Sequence, residues 1–180
     1  IYNHSRKQHL RVILICATTI DGFIAKDSNE ITRWTKDLAL FKKQTRGCTV
    51  IVGSKTYKTI QNELKDRNII VINRNSDPNT ILNKLKETED KCFIAGGGKT
   101  NSKFYKYITD LYLTPHPLIF GDGVGLFDKT KIELNIKLKK AIKVKGSDNL
   151  YQYQYIVTNK QNTEIPLIIE DLICGFSNNT

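Results

Sequence analysis

Asp37-Leu-Ala-Leu-Phe-Lys-Lys-Gln-Thr45, followed by Gly47 and by Thr49-Val-Ile-Val-Gly53, is the stretch from which the rest of the chain can be organised. It reads as a helix, a stop and a strand buried on both faces. The helix is expected to begin near Thr35, where Thr35, Lys36 and Asp37 supply a capping residue and an early acid favoured by the helix dipole. Asp37 places one carboxylate on a helix that is otherwise apolar on that side. An unpaired charge is costly to bury, so such a group finds a partner or takes up a proton. Asp37 is therefore either a surface helix residue or a ligand anchor, and that choice decides the function.

Working outward, residues 12–17 are a continuous apolar run suited to a buried strand, closed by the turn signal Thr19-Ile-Asp-Gly22. Residues 25–34 have no clear period and read as a loop. Beyond residue 53 come a helix at 55–61, a strand at 68–72, a helix at 78–86 and a strand at 92–95 running into Gly96-Gly-Gly98. A short helix at 104–108 and a strand at 110–114 follow. Alternating strands and helices predict an α/β fold with a mostly parallel central sheet covered on both faces. Residues 136–144 and 151–158 alternate apolar and polar around Gly146-Ser-Asp-Asn149, so an antiparallel hairpin is expected near the end. The domain is drawn at 9–159. The tail at 160–180 holds an apolar patch, 165–169 with 172–173, of no assigned role.

With 180 residues, 39% of them hydrophobic and 26% charged, the chain suits a single soluble domain, and no apolar run is long enough to cross a bilayer. Cys16, Cys48, Cys92 and Cys174 show neither C-x-x-C spacing nor the density of a disulfide scaffold, and read as reduced thiols of a cytoplasmic protein. Residues 1–8 lack the apolar core of a secretory signal. The sequence contains no methionine, so the chain is expected to be trimmed or cut from something longer. A formal net charge of +10 favours anionic partners, but the charge is spread without an aromatic-interleaved stripe. The expected partner is a small molecule rather than nucleic acid or a membrane. The oligomeric state is left open.

In a parallel α/β sheet, ligands collect at the carboxyl ends of the strands. Two of these ends carry small residues, a lysine and a threonine: Gly53-Ser54-Lys55-Thr56 and Gly96-Gly97-Gly98-Lys99-Thr100. Glycine lets the backbone approach a phosphate closely, and two such cradles would suit a dinucleotide. Neither is a P-loop or a G-x-G-x-x-G fingerprint.

In order along the chain stand Cys16-Ala17, Asp21-Gly22-Phe-Ile24, Asp37-Leu-Ala-x-Phe41-Lys-x-x-Thr45, Val50-Ile-Val-Gly53 with Thr56, Leu64-x-x-Arg67, Phe93-Ile-Ala-Gly-Gly-Gly98 and Asp110-Leu-Tyr-Leu-Thr114. Together they resemble the dihydrofolate reductase family. The segment His116-Pro-Leu-Ile-Phe-Gly-Asp-Gly-Val-Gly-Leu-Phe127 is more similar to the riboflavin-biosynthesis reductase domain, which shares the fold. The resemblance implies NADPH-dependent reduction of dihydrofolate, with no metal. Asp37 would hold the pterin ring; Cys16, Ala17, Phe41 and Thr114 would surround it, and Arg67 would grip the substrate's glutamate carboxylate. Ala17, Ile24, Gly53, Ser54, Lys55, Thr56, Asn73, Arg74, Gly96, Gly97, Gly98, Lys99 and Thr100 would contact the cofactor.

The sequence also departs from that family. Ile31-Thr32 replaces the loop's proline-tryptophan pair, with Trp34 two positions on, and Glu30 replaces the loop methionine. Ser54 stands where a basic residue is usual, leaving Lys55 or Arg74 to favour NADPH over NADH. Asn101 stands where a tyrosine is common. The alternatives are a pyrimidine reductase of the riboflavin route and a non-catalytic nucleotide-binding module.

Overall fold

The first strand, β1 (Arg11–Thr19), divides its apolar residues by parity, as a strand buried on both faces must. Val12 and Leu14 pack on one side with Ile51, Ile94 and Phe104, while Ile13 and Ile15 pack on the other with Val50, Val52 and Phe93. The computed structural model describes residues 9–128 and 131–158. The tail's apolar patch and Cys174 lie outside the described residues.

After β1 come β2 (Phe23–Ala25), α1 (Leu38–Thr45), β3 (Thr49–Gly53), α2 (Ser54–Ile60) and β4 (Asn68–Ile72). Then follow α3 (Pro78–Leu85), β5 (Lys91–Ile94), α4 (Gly98–Phe104), β6 (Asp110–His116), β7 (Val124–Gly125), β8 (Ile136–Lys143) and β9 (Tyr151–Val157). The seven-stranded sheet has the order β4-β3-β5-β1-β6-β9-β8. Its first five strands are parallel, and β9 and β8 add antiparallel pairings. Leu82 and Leu85 of α3 and Phe104 of α4 bury against the Val12 face. Phe41 of α1 and Tyr57 and Ile60 of α2 cover the Ile13 face. Five parallel strands therefore end at one edge, which is where the expected ligand turns lie.

Three elements differ from the sequence expectation. The helix bearing Asp37 begins at Leu38 rather than Thr35, with Asp37 as the residue before its first turn. The residues ahead of it are held otherwise: the Thr35 hydroxyl donates back to the Thr32 carbonyl at 3.3 Å instead of capping the helix, and the Lys36 N–H donates to His116 Nε2 at 2.9 Å. The helix expected at 104–108 is α4, which starts in the glycine run and ends at Phe104, followed by a 3₁₀ turn at Tyr105–Tyr107. A second, two-stranded sheet pairs β2 with β7. Three-residue and two-residue strands are too short to leave a period in sequence.

Candidate active site

A cleft of about 1000 Å³ opens along the carboxyl edge of the parallel strands. It runs from Ile72, Asn73 and Arg74 at the end of β4, past the turns after β3 and β5, to Cys16 and Ala17 in β1 and the short strand β2. Asp37 and Phe41, from the start and middle of α1, stand at the other end. Of the residues singled out in sequence, all line this cleft except Arg67 and Thr114.

The two glycine turns are built into one another. Gly53 N–H donates to the Gly96 carbonyl at 3.0 Å. A Cβ at Gly53 would lie 2.6 Å from Thr100 Oγ1, and one at Gly97 would lie 3.1 Å from Thr56 Oγ1, so each turn's threonine closes on the other turn's glycine. Gly96 has φ +94°, a conformation that side chains with a Cβ rarely adopt, and the Gly96–Gly97 peptide is cis. The result is a backbone-walled cradle with two threonines and Lys99 on its rim, open to the cleft.

At the opposite end, Asp37 is only 7% exposed, yet its carboxylate makes no cap bond and accepts no hydrogen bond among the described residues. That answers the first-turn alternative: the acid does not serve its helix. Its charge reaches Cys16, whose thiol is pushed up to about 12, chiefly by burial and secondly by Asp37. Cys16 is therefore an inert wall residue rather than a nucleophile. Thr114 pairs with Ala17 in the β1–β6 ladder and is fully buried, and its Oγ1 has no hydrogen-bond partner. The buried Trp34 Nε1 also lacks one. Asn101 Oδ1 is a third such atom among the described residues, and none of the three residues lines the cleft.

Arg67 is placed elsewhere. Its Nε donates to Thr45 Oγ1 at 2.7 Å, its Nη2 to the Lys42 carbonyl at 2.7 Å, and its Nη1 to the Lys65 carbonyl, tying the end of α1 to the β4 approach. Beside it, Lys42 forms an ion pair with Glu63, which does line the cleft. Asn101 faces away from the cleft's lining, donating to the Leu126 carbonyl at 2.7 Å. Sequence reasoning missed Lys103, which lines the cleft and donates to the Asn73 and Arg74 carbonyls at 3.2 and 2.7 Å. It lies about 30 residues along the chain from those partners, and no local pattern signals it.

Residues 11–160 match the family model described as dihydrofolate reductase. The chain belongs to the dihydrofolate reductase family. It is 30% identical over 165 residues to the dihydrofolate reductase of Bacillus subtilis, a match covering 84% of this chain and 96% of that one. It is 29% identical over 160 residues to that of Staphylococcus haemolyticus, covering 81% and 93%. Two solved structures share the fold. Dihydrofolate reductase from Enterococcus faecalis complexed with NADP(H) and RAB-propyl aligns with a TM-score of 0.67 at 20% identity, covering 83% of this chain and 97% of that chain. The diaminohydroxyphosphoribosylaminopyrimidine deaminase/5-amino-6-(5-phosphoribosylamino)uracil reductase of Thermotoga maritima aligns at 0.68 with 18% identity, covering 84% and 58%. Among the described residues, no helix is long and apolar enough to cross a membrane. Cys16, Cys48 and Cys92 are free thiols.

Proposed function

We propose that this chain reduces dihydrofolate to tetrahydrofolate at the expense of NADPH and one proton, in the cytoplasm. The observation that carries this reading is Asp37: a buried carboxylate, with no protein hydrogen-bond donor, facing a cleft that can hold a flat ring. A pterin offers that acid an amidine-like edge with two N–H groups, and charge-assisted pairs of this geometry are among the stronger ones available. The pairing offsets the cost of burying the charge. Phe41, Ala17 and Cys16 supply the apolar walls, and the Asp37 charge favours a protonated ring over a neutral one.

The interlocked cradle fits a dinucleotide, because only residues without a Cβ leave room at Gly53 and Gly97 and the adjoining groups are threonine hydroxyls and lysines. Gly96, Gly97, Gly98, Lys99 and Thr100, with Gly53, Ser54, Lys55 and Thr56, would hold the phosphates. Asn73 and Arg74 would meet the nucleoside end, and Ala17 with Ile24 would flank the nicotinamide. NADPH supplies the hydride when bound. The protein's part is to orient the ring, exclude water along the apolar walls and hold the charge that stabilises the protonated ring.

Arg74 follows from this assignment as the discriminator of NADPH from NADH, because Ser54 carries no charge. Arg74→Ala should raise the KM for NADPH about tenfold and leave that for NADH unchanged, as loss of one exposed arginine–phosphate contact implies. Equal changes with both cofactors would move the discrimination to Lys55. The function itself is tested by incubating the protein with NADPH and dihydrofolate and identifying tetrahydrofolate by mass. Absence of that product from folded, NADPH-binding protein would leave the pyrimidine reductase of the riboflavin route or the non-catalytic nucleotide-binding module in its place.

A further inference from the structure

His116 ends β6 and is 1% exposed, so both ring nitrogens must be satisfied by the protein. Nδ1 lies 2.9 Å from the Thr114 carbonyl, and Nε2 lies 2.9 Å from the Lys36 backbone nitrogen. A backbone N–H can only donate and a carbonyl can only accept. Nε2 therefore carries no proton and Nδ1 carries the one that bonds to Thr114, which fixes the tautomer. The Trp34 ring meets the imidazole edge-on at 5.3 Å between centroids and meets Phe120 in the same way at 5.5 Å. One buried side chain thus joins the end of β6 to residues 34–36, immediately before Asp37.

That joint leads directly into Asp37. Asp37 sits at φ −102°, ψ 11°, outside the helix, and α1 starts one residue later. The bond holds the Lys36 backbone, and with it the direction in which the chain enters Asp37, against the end of β6. An N-cap carboxylate can turn back onto the exposed N–H groups of its own helix, and that of Asp37 does not.

We propose that His116 is a positioning residue, which through its Nε2 acceptor bond to Lys36 fixes the backbone entering Asp37 and so keeps the Asp37 carboxylate off its own helix and free for the substrate ring. The assignment rests on Asp37 being the ring-binding acid. It predicts that the acceptor toward Lys36 matters for ring binding, while the donor toward Thr114 does not. Glutamine and asparagine separate the two: His116→Gln can present an amide oxygen to Lys36, whereas the shorter His116→Asn can reach only the Thr114 side. His116→Phe keeps the aromatic contact with Trp34 and loses both bonds.

The test is the affinity of each variant for 2,4-diaminopteridine, a ring without a glutamate tail, measured beside its affinity for NADPH. His116→Asn and His116→Phe should bind the ring about tenfold more weakly, the effect of one lost buried hydrogen bond, and His116→Gln should retain binding within about threefold. NADPH affinity should be the same in all three, a split that general loosening of the fold would not give. Equal ring affinities for the Gln and Asn variants would overturn the proposal. In the unaltered protein, ¹⁵N spectra should show Nε2 as the unprotonated ring nitrogen, and a proton on Nε2 would overturn the proposal without any variant. If the unaltered protein binds NADPH but not the diaminopteridine, both the reading of Asp37 and this proposal fall. If it binds both and the variants do not differ, only this one does.

Discussion

Asp37→Asn should lower turnover with dihydrofolate at neutral pH by at least about a hundredfold, the size expected for a group that assists protonation of the reacting ring. The substitution keeps the shape and removes the charge. Because the carboxylate accepts no hydrogen bond among the described residues, an amide there loses no protein partner. Thermal stability should therefore be unchanged or slightly raised, since an unpaired charge no longer has to be buried. The same variant should lose tight binding of diaminopyrimidine antifolates, whose protonated ring needs the anion, while retaining NADPH affinity within about twofold because the cradle lies at the far end of the cleft. Steady-state turnover, thermal melting and binding of the two ligands on one preparation check all four. A fully active Asp37→Asn protein would reduce the acid to a residue that merely precedes a helix.

The second large effect is at the cradle. Gly97→Val should weaken NADPH binding about a hundredfold, which corresponds to about 2.7 kcal/mol and is in the range of charge-assisted phosphate hydrogen bonds lost together. The backbone at Gly97, φ −72° and ψ −167°, is extended, in a region of φ and ψ that valine also adopts. The objection is space. A first carbon already stands 3.1 Å from Thr56 Oγ1, and valine's two methyl groups would fill the gap between the turns. Fluorescence titration with NADPH on the folded variant measures this. An unchanged Kd would remove the Gly96–Gly98 turn from the cofactor site.

Much of this architecture was legible because the core strands announce themselves. Residues 12–17, 49–52 and 68–72 are largely apolar runs, the last two closed by Gly53 and Asn73, and the structure has strands at all three. The glycine turns were legible as turns, since a strand leading into Gly-Gly-Gly has few other uses. Their interlocking was not, because Gly53 meets Thr100 across 47 positions of chain. The same limit explains the start of α1. Thr35 and Asp37 both carry capping chemistry, but the Thr35 hydroxyl is turned to Thr32 and Lys36 is held by His116, 80 residues away. The β2–β7 ribbon was missed because strands of three and two residues are fixed by pairing rather than by pattern. Arg67 was placed by resemblance alone, and its guanidinium is occupied with the end of α1 instead of lining the cleft.

The sharpest test compares the rates of NADPH oxidation with dihydrofolate and with the ribosylaminopyrimidine phosphate of the riboflavin route, under the same conditions. A site whose free acid is matched to a pterin edge should favour dihydrofolate by at least about a hundredfold in kcat/KM, the discrimination expected when the wrong ring leaves a buried polar group unpaired. A preference for the pyrimidine, or no oxidation with either, would contradict the assignment of Asp37 as a pterin-binding acid.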